Sequence, residues 1–159
     1  MKDNDFGLTI LDLQFIEPRT PNPEPRAIKF FCDRDVYRLA KWLRFAGFDT
    51  MTRQEMPIHK IEALCKKERR VFLTRNKGLK SFTHRYIILE SNDYKEQLKQ
   101  ILSLFKMDKD KIATRCMKCN VLLKECIEKE NQKYCPRCGK YFWKGTHYEM
   151  MCSVLGVRV

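Results

Sequence analysis

From Ala27 to Phe105 the chain alternates short, almost continuously apolar runs with longer stretches in which apolar residues return every three or four positions. The runs AIKFFC, FDTMTR, VFLTR and RYIIL read as strands, and their unbroken apolar character suits strands buried on both faces. After the first of them, DRDVYRLAKWLRFAG puts Leu39, Leu43 and Ala46 on one helical face, with Asp33 as the N-cap and Gly47 as the stop. Residues 58–68 read as a second helix, and Tyr94 to Phe105, with Leu98, Ile101, Leu102 and Phe105 at core spacing, as a third. The order strand, helix, strand, helix, strand, strand, helix predicts an α/β fold with a mainly parallel sheet and helices on its faces. Such sheets carry their chemistry just beyond the carboxyl ends of the strands, the position that Asn76 takes after VFLTR.

The flanks have a different character. Residues 1–26 contain one strand-like run, Leu8 to Ile16, and then four prolines between Pro18 and Pro25, so they read as an arm and an extended linker. The α/β domain is expected over 27–111. Residues 112–159 hold CMKC and CPRC, with fifteen residues between the pairs. Two residues between thiolates let one tight knuckle offer both sulfurs to a tetrahedral ion, and Gly139 suits the positive φ that such a knuckle needs. Cys116, Cys119, Cys135 and Cys138 therefore predict a zinc ribbon whose Zn²⁺ is structural, because four thiolates leave no open position. Cys32, Cys65, Cys126 and Cys152 read as small buried thiols, and His147 as a residue outside the ligand set.

Charge narrows the partners. The formal net charge is +12, and between Lys66 and Arg85 eight Lys or Arg face one acid, Glu68. A solvated basic face and a polyanion grip both fit such a run, and the overall excess favours nucleic acid. Arg34, Arg38, Lys41 and Arg44 add a basic stripe on the first helix, next to Arg70, Arg75, Lys77 and Lys80. KYFWKGTHYE interleaves Lys140 and Lys144 with aromatics, a pattern that can stack bases while holding phosphates, or simply pack the small core of a ribbon. No stretch has the length and apolarity of a membrane span, and the N-terminus lacks a secretory leader, so a cytoplasmic setting with reduced thiols is expected.

FFCDRDVYRLAKWLRFAGFDT, ERRVFLTRNKGL and CPRCGKYFWKGTHYEMM together resemble the PIN-like ribonuclease domain first named from the C-terminus of the Mut-seven exonuclease, over about Ala27 to Met151. The resemblance implies a three-layer α/β/α core fused to a zinc ribbon, and cleavage of RNA with Mg²⁺ or Mn²⁺ held by carboxylates at the strand ends. It implies that Asp33 is the first of these acids, although Asp33 also suits a helix cap. Where the family carries aspartate after the third strand this chain has Asn76, and near the second helix it reads PIHKIE, with Glu55 and Glu62 as the nearest acids. Asp35, Glu62, Glu90 or Asp93 could rebuild the site from other positions.

Three functions follow as expectations. The first is a metal-dependent ribonuclease using Asp33, helped by Asp35 or Glu62, with Asn76 as a neutral ligand. The second is an inactive PIN-like module that keeps RNA binding through the same basic residues. The third is an adaptor whose N-terminal arm pairs with a protein partner.

Overall fold

The computed structural model describes residues 27–53, 55–127 and 130–158. The predicted strand Leu8 to Ile16 and the proline linker lie outside them. Strands β1 (Lys29–Cys32), β2 (Asp49–Thr52), β3 (Arg70–Thr74) and β4 (Tyr86–Ile88) form one sheet in the order β2-β1-β3-β4, and every neighbouring pair is parallel. Helices α1 (Tyr37–Phe45), α2 (Ile58–Glu68) and α3 (Tyr94–Leu104) cover it, α1 being entered through a 3-10 turn at Arg34–Val36. Among the described residues no helix is long and apolar enough to cross a membrane.

Strand alternation divides the core in two. Phe30, Cys32, Val71 and Leu73 point to one face, where they meet Leu39 and Leu43 of α1 and Leu98 and Ile101 of α3. Phe31 and Phe72 point to the other, against Ile61 and Cys65 one turn apart on α2. These are the three layers expected. The step from β3 to β4 is unusual, since a parallel crossover ordinarily contains a helix and residues 75–85 contain none. Phe82 does the covering instead, stacked on Phe72 at 4.9 Å and edge-on to Tyr86 at 5.7 Å.

Beyond the sheet, β5 (Lys124–Glu125), β6 (Gln132–Tyr134) and β7 (Tyr141–Trp143) make a small antiparallel ribbon in the order β5-β6-β7. The chain then returns. Helix α4 (Thr146–Val154) places Met151 and Cys152, followed by Leu155, in the same core as Phe30 and Leu39, so residues 112–159 are joined to the large domain at both ends. The entry to the ribbon is equally close. The Ala113 amide donates to the Phe45 carbonyl at 2.7 Å, and the Arg115 Nε–H donates to the Gly47 carbonyl at 3.3 Å. Gly47 has φ +96°, and a Cβ there would lie 2.6 Å from both the Cβ and the carbonyl oxygen of Lys111. Helix α1 can end at this turn only on glycine. Gly47→Ala is expected to destabilise the protein by about 2 kcal/mol or more through backbone strain and overpacking, read as a lower midpoint in urea unfolding.

Candidate metal centre and strand-end site

The two cysteine knuckles are built alike. Cys116 and Cys135 each accept, through sulfur, the amide of the second cysteine of their pair at 3.4 Å. The next residue, Asn120 or Gly139, has positive φ (65° and 70°) and donates its amide back to the carbonyl of the first cysteine. A tetrahedral zinc with bonds of about 2.3 Å needs its sulfurs roughly 3.8 Å apart. The Cys116 and Cys138 sulfurs are 3.8 Å apart, and all four lie within 4.8 Å of one another. The Lys140 amide lowers the pKa of the Cys138 thiol, while burial and the neighbouring thiols raise those of Cys116 and Cys119, as expected of close sulfurs that compete for one charge. This cluster can hold a metal ion.

The first knuckle is also fastened to the sheet. Arg44, buried at the end of α1, donates Nε–H to the Thr50 carbonyl at 2.8 Å and Nη1 to the carbonyls of Met117 and Lys118 at 2.8 and 3.1 Å. Asn120 completes the joint. Its Oδ1 accepts the Thr50 amide at 3.0 Å and its Nδ2 donates to Asp49 Oδ1 at 2.8 Å. Asp49 Oδ1 also accepts from Arg70 Nη1 at 2.7 Å, while Arg70 Nε–H donates to Glu68 at 2.7 Å. Arg70 and Asn120 hold the Asp49 carboxyl below its ordinary range against the opposing effect of burial. Contrary to the expectation from sequence, Arg44 and Arg70 do not lie on a nucleic-acid surface. At 6% and 4% exposure their guanidiniums are enclosed and committed to protein acceptors.

A second constellation forms where β1 and β3 end. The chain goes from β1 to β2 on one side and then crosses to β3 on the other, so these two carboxyl ends border the crevice at which the strand order reverses. The Asp33 amide donates to the Leu73 carbonyl at 2.9 Å. Its Oδ1 accepts the Arg34 amide at 2.8 Å, and its Oδ2 accepts the Thr74 hydroxyl at 2.6 Å. The Thr74 Oγ1 in turn accepts the Asn76 amide at 3.1 Å, and Asn76 Oδ1 accepts the Gly78 amide at 2.8 Å. Asp35 lies beside them and is exposed. Partial desolvation by the neighbouring chain and then Asp33 push its carboxyl above the ordinary value, while Arg75 and Arg34 oppose them.

Of the expected acidic set, Asp33 and Asp35 therefore share one strand end. Asn76 stands next to them with its carboxamide oxygen engaged in the turn. Glu62 is engaged elsewhere: it accepts the Thr83 amide and hydroxyl, both at 2.7 Å, and pairs with Lys66 at 3.0 Å, bonds that draw its carboxyl down to about 2. Asp93 caps α3 by accepting the Lys95 and Glu96 amides. Among the described residues the four cysteines are the only group of three or more His, Cys, Asp or Glu side chains close enough to share an ion.

The remaining basic candidates are at the surface. Arg34 is exposed in the 3-10 turn and Arg38 and Lys41 along α1, with Lys41 above the Tyr37 ring at 5.9 Å, and Lys77 and Lys80 are exposed in the loop after β3. Arg75 is half-buried, and its Nε is enclosed without a hydrogen-bond partner. Lys144 is exposed on the ribbon side, above the Tyr148 ring at 5.9 Å.

The family model of the Mut7-C RNAse domain matches residues 28–155. The chain belongs to this family. Comparison with curated proteins and with solved structures finds no match. The match to the Mut7-C RNAse domain runs through sheet, ribbon and α4 alike, in keeping with their shared core. Two residues of this Mut7-C domain carry more than their sequence context suggests. Thr74 orients Asp33, with no signal beyond a hydroxyl at a strand end. Asn120 had a signal, since it occupies the place in CMKCN that glycine occupies in CPRCG. Asn120→Gly keeps the left-handed backbone and removes the joint to Asp49 and Thr50. It is expected to cost about 1–3 kcal/mol, with faster exchange of the Thr50 amide measured by hydrogen–deuterium NMR.

Proposed function

We propose that this Mut7-C domain is a metal-dependent ribonuclease acting on single-stranded or structured RNA, with the β1/β3 crevice as its active site and a structural zinc ion in the ribbon. The observation that carries this reading is Asp33, held at the switch point by Thr74 with Asp35 alongside. Mg²⁺ and Mn²⁺ are usually held by one or two carboxylates together with water and substrate phosphate, a set that Asp33 and Asp35 fit and that Glu62 and Asn76 do not. When bound, such an ion activates water and offsets charge on the scissile phosphate. Thr74 fixes the rotamer of Asp33, and Arg34 and Arg75 offset the charge of the carboxylate pair. Arg34 next to Asp33, Arg38 and Lys41 on the helix that follows, and Lys77 and Lys80 in the loop after β3 are exposed cations able to hold the phosphodiester backbone. The free thiols fit a cytoplasmic setting.

Binding without cleavage is the second reading, favoured by Asn76, whose neutral amide is already committed to Gly78. An adaptor role for the arm concerns residues outside those described.

Labelled single-stranded RNA with Mn²⁺ separates the readings. Asp33→Asn is the useful variant because asparagine still caps the turn while the charge is lost. Wild type is expected to cleave, EDTA to abolish cleavage, and Asp33→Asn to slow it by roughly 100-fold or more. Cleavage by Asn76→Asp alone would establish the second reading. For the ribbon, native mass spectrometry is expected to show one zinc per chain. Chelation should raise the exchange rate of the Thr50 amide, because Asn120 leaves it when the knuckle opens.

A further inference from the structure

A cavity of about 710 Å³ lies between the ribbon and α4, well away from the β1/β3 crevice. Phe45 and Met151 line its floor, Tyr141, Trp143 and Tyr148 its walls, and Lys144 its rim. Its volume is that of a small-molecule site, where buried apolar surface and a few polar groups act together. Trp143 is 63% exposed and Tyr141 50% exposed, so neither ring is simply core. They lie two residues apart on β7, on one face of the outer strand of the ribbon.

The indole is held in place. A Cβ on Gly145 would come within 3.0 Å of Trp143 Nε1 and 3.2 Å of its Cδ1, so the ring rests against a backbone that carries no side chain. Lys144, next in the chain, reaches over the Tyr148 ring. An exposed flat ring that rests against glycine backbone, next in sequence to a lysine, is a poor use of tryptophan for stability and a good stacking platform. The segment is also positive, with nine Lys or Arg against four Glu over residues 112–159. An occupant therefore has to combine negative charge with flat apolar faces, as unpaired nucleotides do.

We propose that this groove binds unstacked bases of single-stranded RNA, with Trp143 as the platform and Lys144 at the adjoining phosphate. The proposal rests on RNA being the ligand of the domain, and it adds a contact separate from the crevice. Helix α1 runs from Tyr37, one 3-10 turn after Asp33, to Phe45, so its eight steps of about 1.5 Å set the two sites roughly 12 Å or more apart. One strand of a few nucleotides can span that distance, which assigns the groove to holding RNA outside the reacting bond.

The test uses the full zinc-loaded chain in a Trp42→Phe background, which leaves Trp143 as the sole indole. Trp42 is stacked on Tyr94 at 5.5 Å, a contact that phenylalanine keeps. A uridine hexanucleotide, inorganic polyphosphate, an RNA duplex, polyglutamate and anionic vesicles are titrated at fixed salt. Saturable quenching by the hexanucleotide, and not by the other four, is the expected result. Measured with labelled hexanucleotide, Trp143→Ala should raise Kd by roughly tenfold or more, and Trp143→Phe should recover part of the loss. Unchanged fluorescence with the hexanucleotide, or a Kd for Trp143→Ala within about twofold of the parent, overturns the proposal. Quenching by polyglutamate or vesicles in place of RNA overturns it in favour of a protein or membrane partner. Quenching by hexanucleotide without any RNA cleavage leaves the groove standing and removes only the ribonuclease reading, whereas cleavage with a silent Trp143 removes only the groove.

Discussion

The guanidinium of Arg44 joins the sheet to the first cysteine knuckle through three backbone carbonyls. It is a cation 6% exposed, and a buried cation is tolerated only when its donors are fully used. Its partners are carbonyls of β2 and of the first cysteine knuckle, groups more than seventy residues apart for the knuckle contacts. Arginine suits the place because its planar fork reaches two directions at once and keeps its charge even where burial lowers its pKa. The neighbouring chain of Glu68, Arg70, Asp49 and Asn120 extends the same seam along the amino end of the sheet. On the edge strand β2, whose exposed side would otherwise invite pairing, the Thr50 amide and carbonyl are thus taken up by the side chains of Asn120 and Arg44.

This seam and the catalytic candidate lie at opposite ends of the sheet. The amino end is fixed by the ribbon, and the carboxyl end is fixed by the bond between Thr74 and Asp33. A protein organised in this way keeps its candidate crevice free of the elements that stabilise it. The crevice can lose or gain a carboxylate, as at Asn76, with consequences for chemistry and little for folding, since Asn76 is exposed and serves only its own turn.

Much of this was legible in the sequence. Short apolar runs announced buried parallel strands, and α1, α2 and α3 follow the helical spacing closely, because local pattern and tertiary burial agree there. The cysteine spacing located the ribbon. What pattern could not supply was the fate of individual polar residues. Arg44 sits in a basic stripe with Arg34, Arg38 and Lys41, yet it turns inward because its position at the end of α1 faces the knuckle. Arg70 leads β3 and reads like any other cation of the run from Lys66 to Arg85, but its partner Asp49 is across the sheet and β1 lies between them. Glu62 likewise meets Thr83 only through the helix-free connection between β3 and β4, a route that no helical or strand period encodes.

The knuckle that closes the sheet edge has a bearing on how the protein is made. Ribosomes deliver the strands and α1 to α3 first, and the residues that cover β2 arrive only when Met117 to Asn120 emerge. Until then the nascent α/β unit carries an open parallel edge, a buried-type arginine with the Thr50 carbonyl but not the knuckle carbonyls to bond, and a core short of Met151 and Cys152. The α/β unit therefore lacks part of its edge cover and of its core until the last quarter of the chain appears, and its open edge is exposed to wrong pairing for that long.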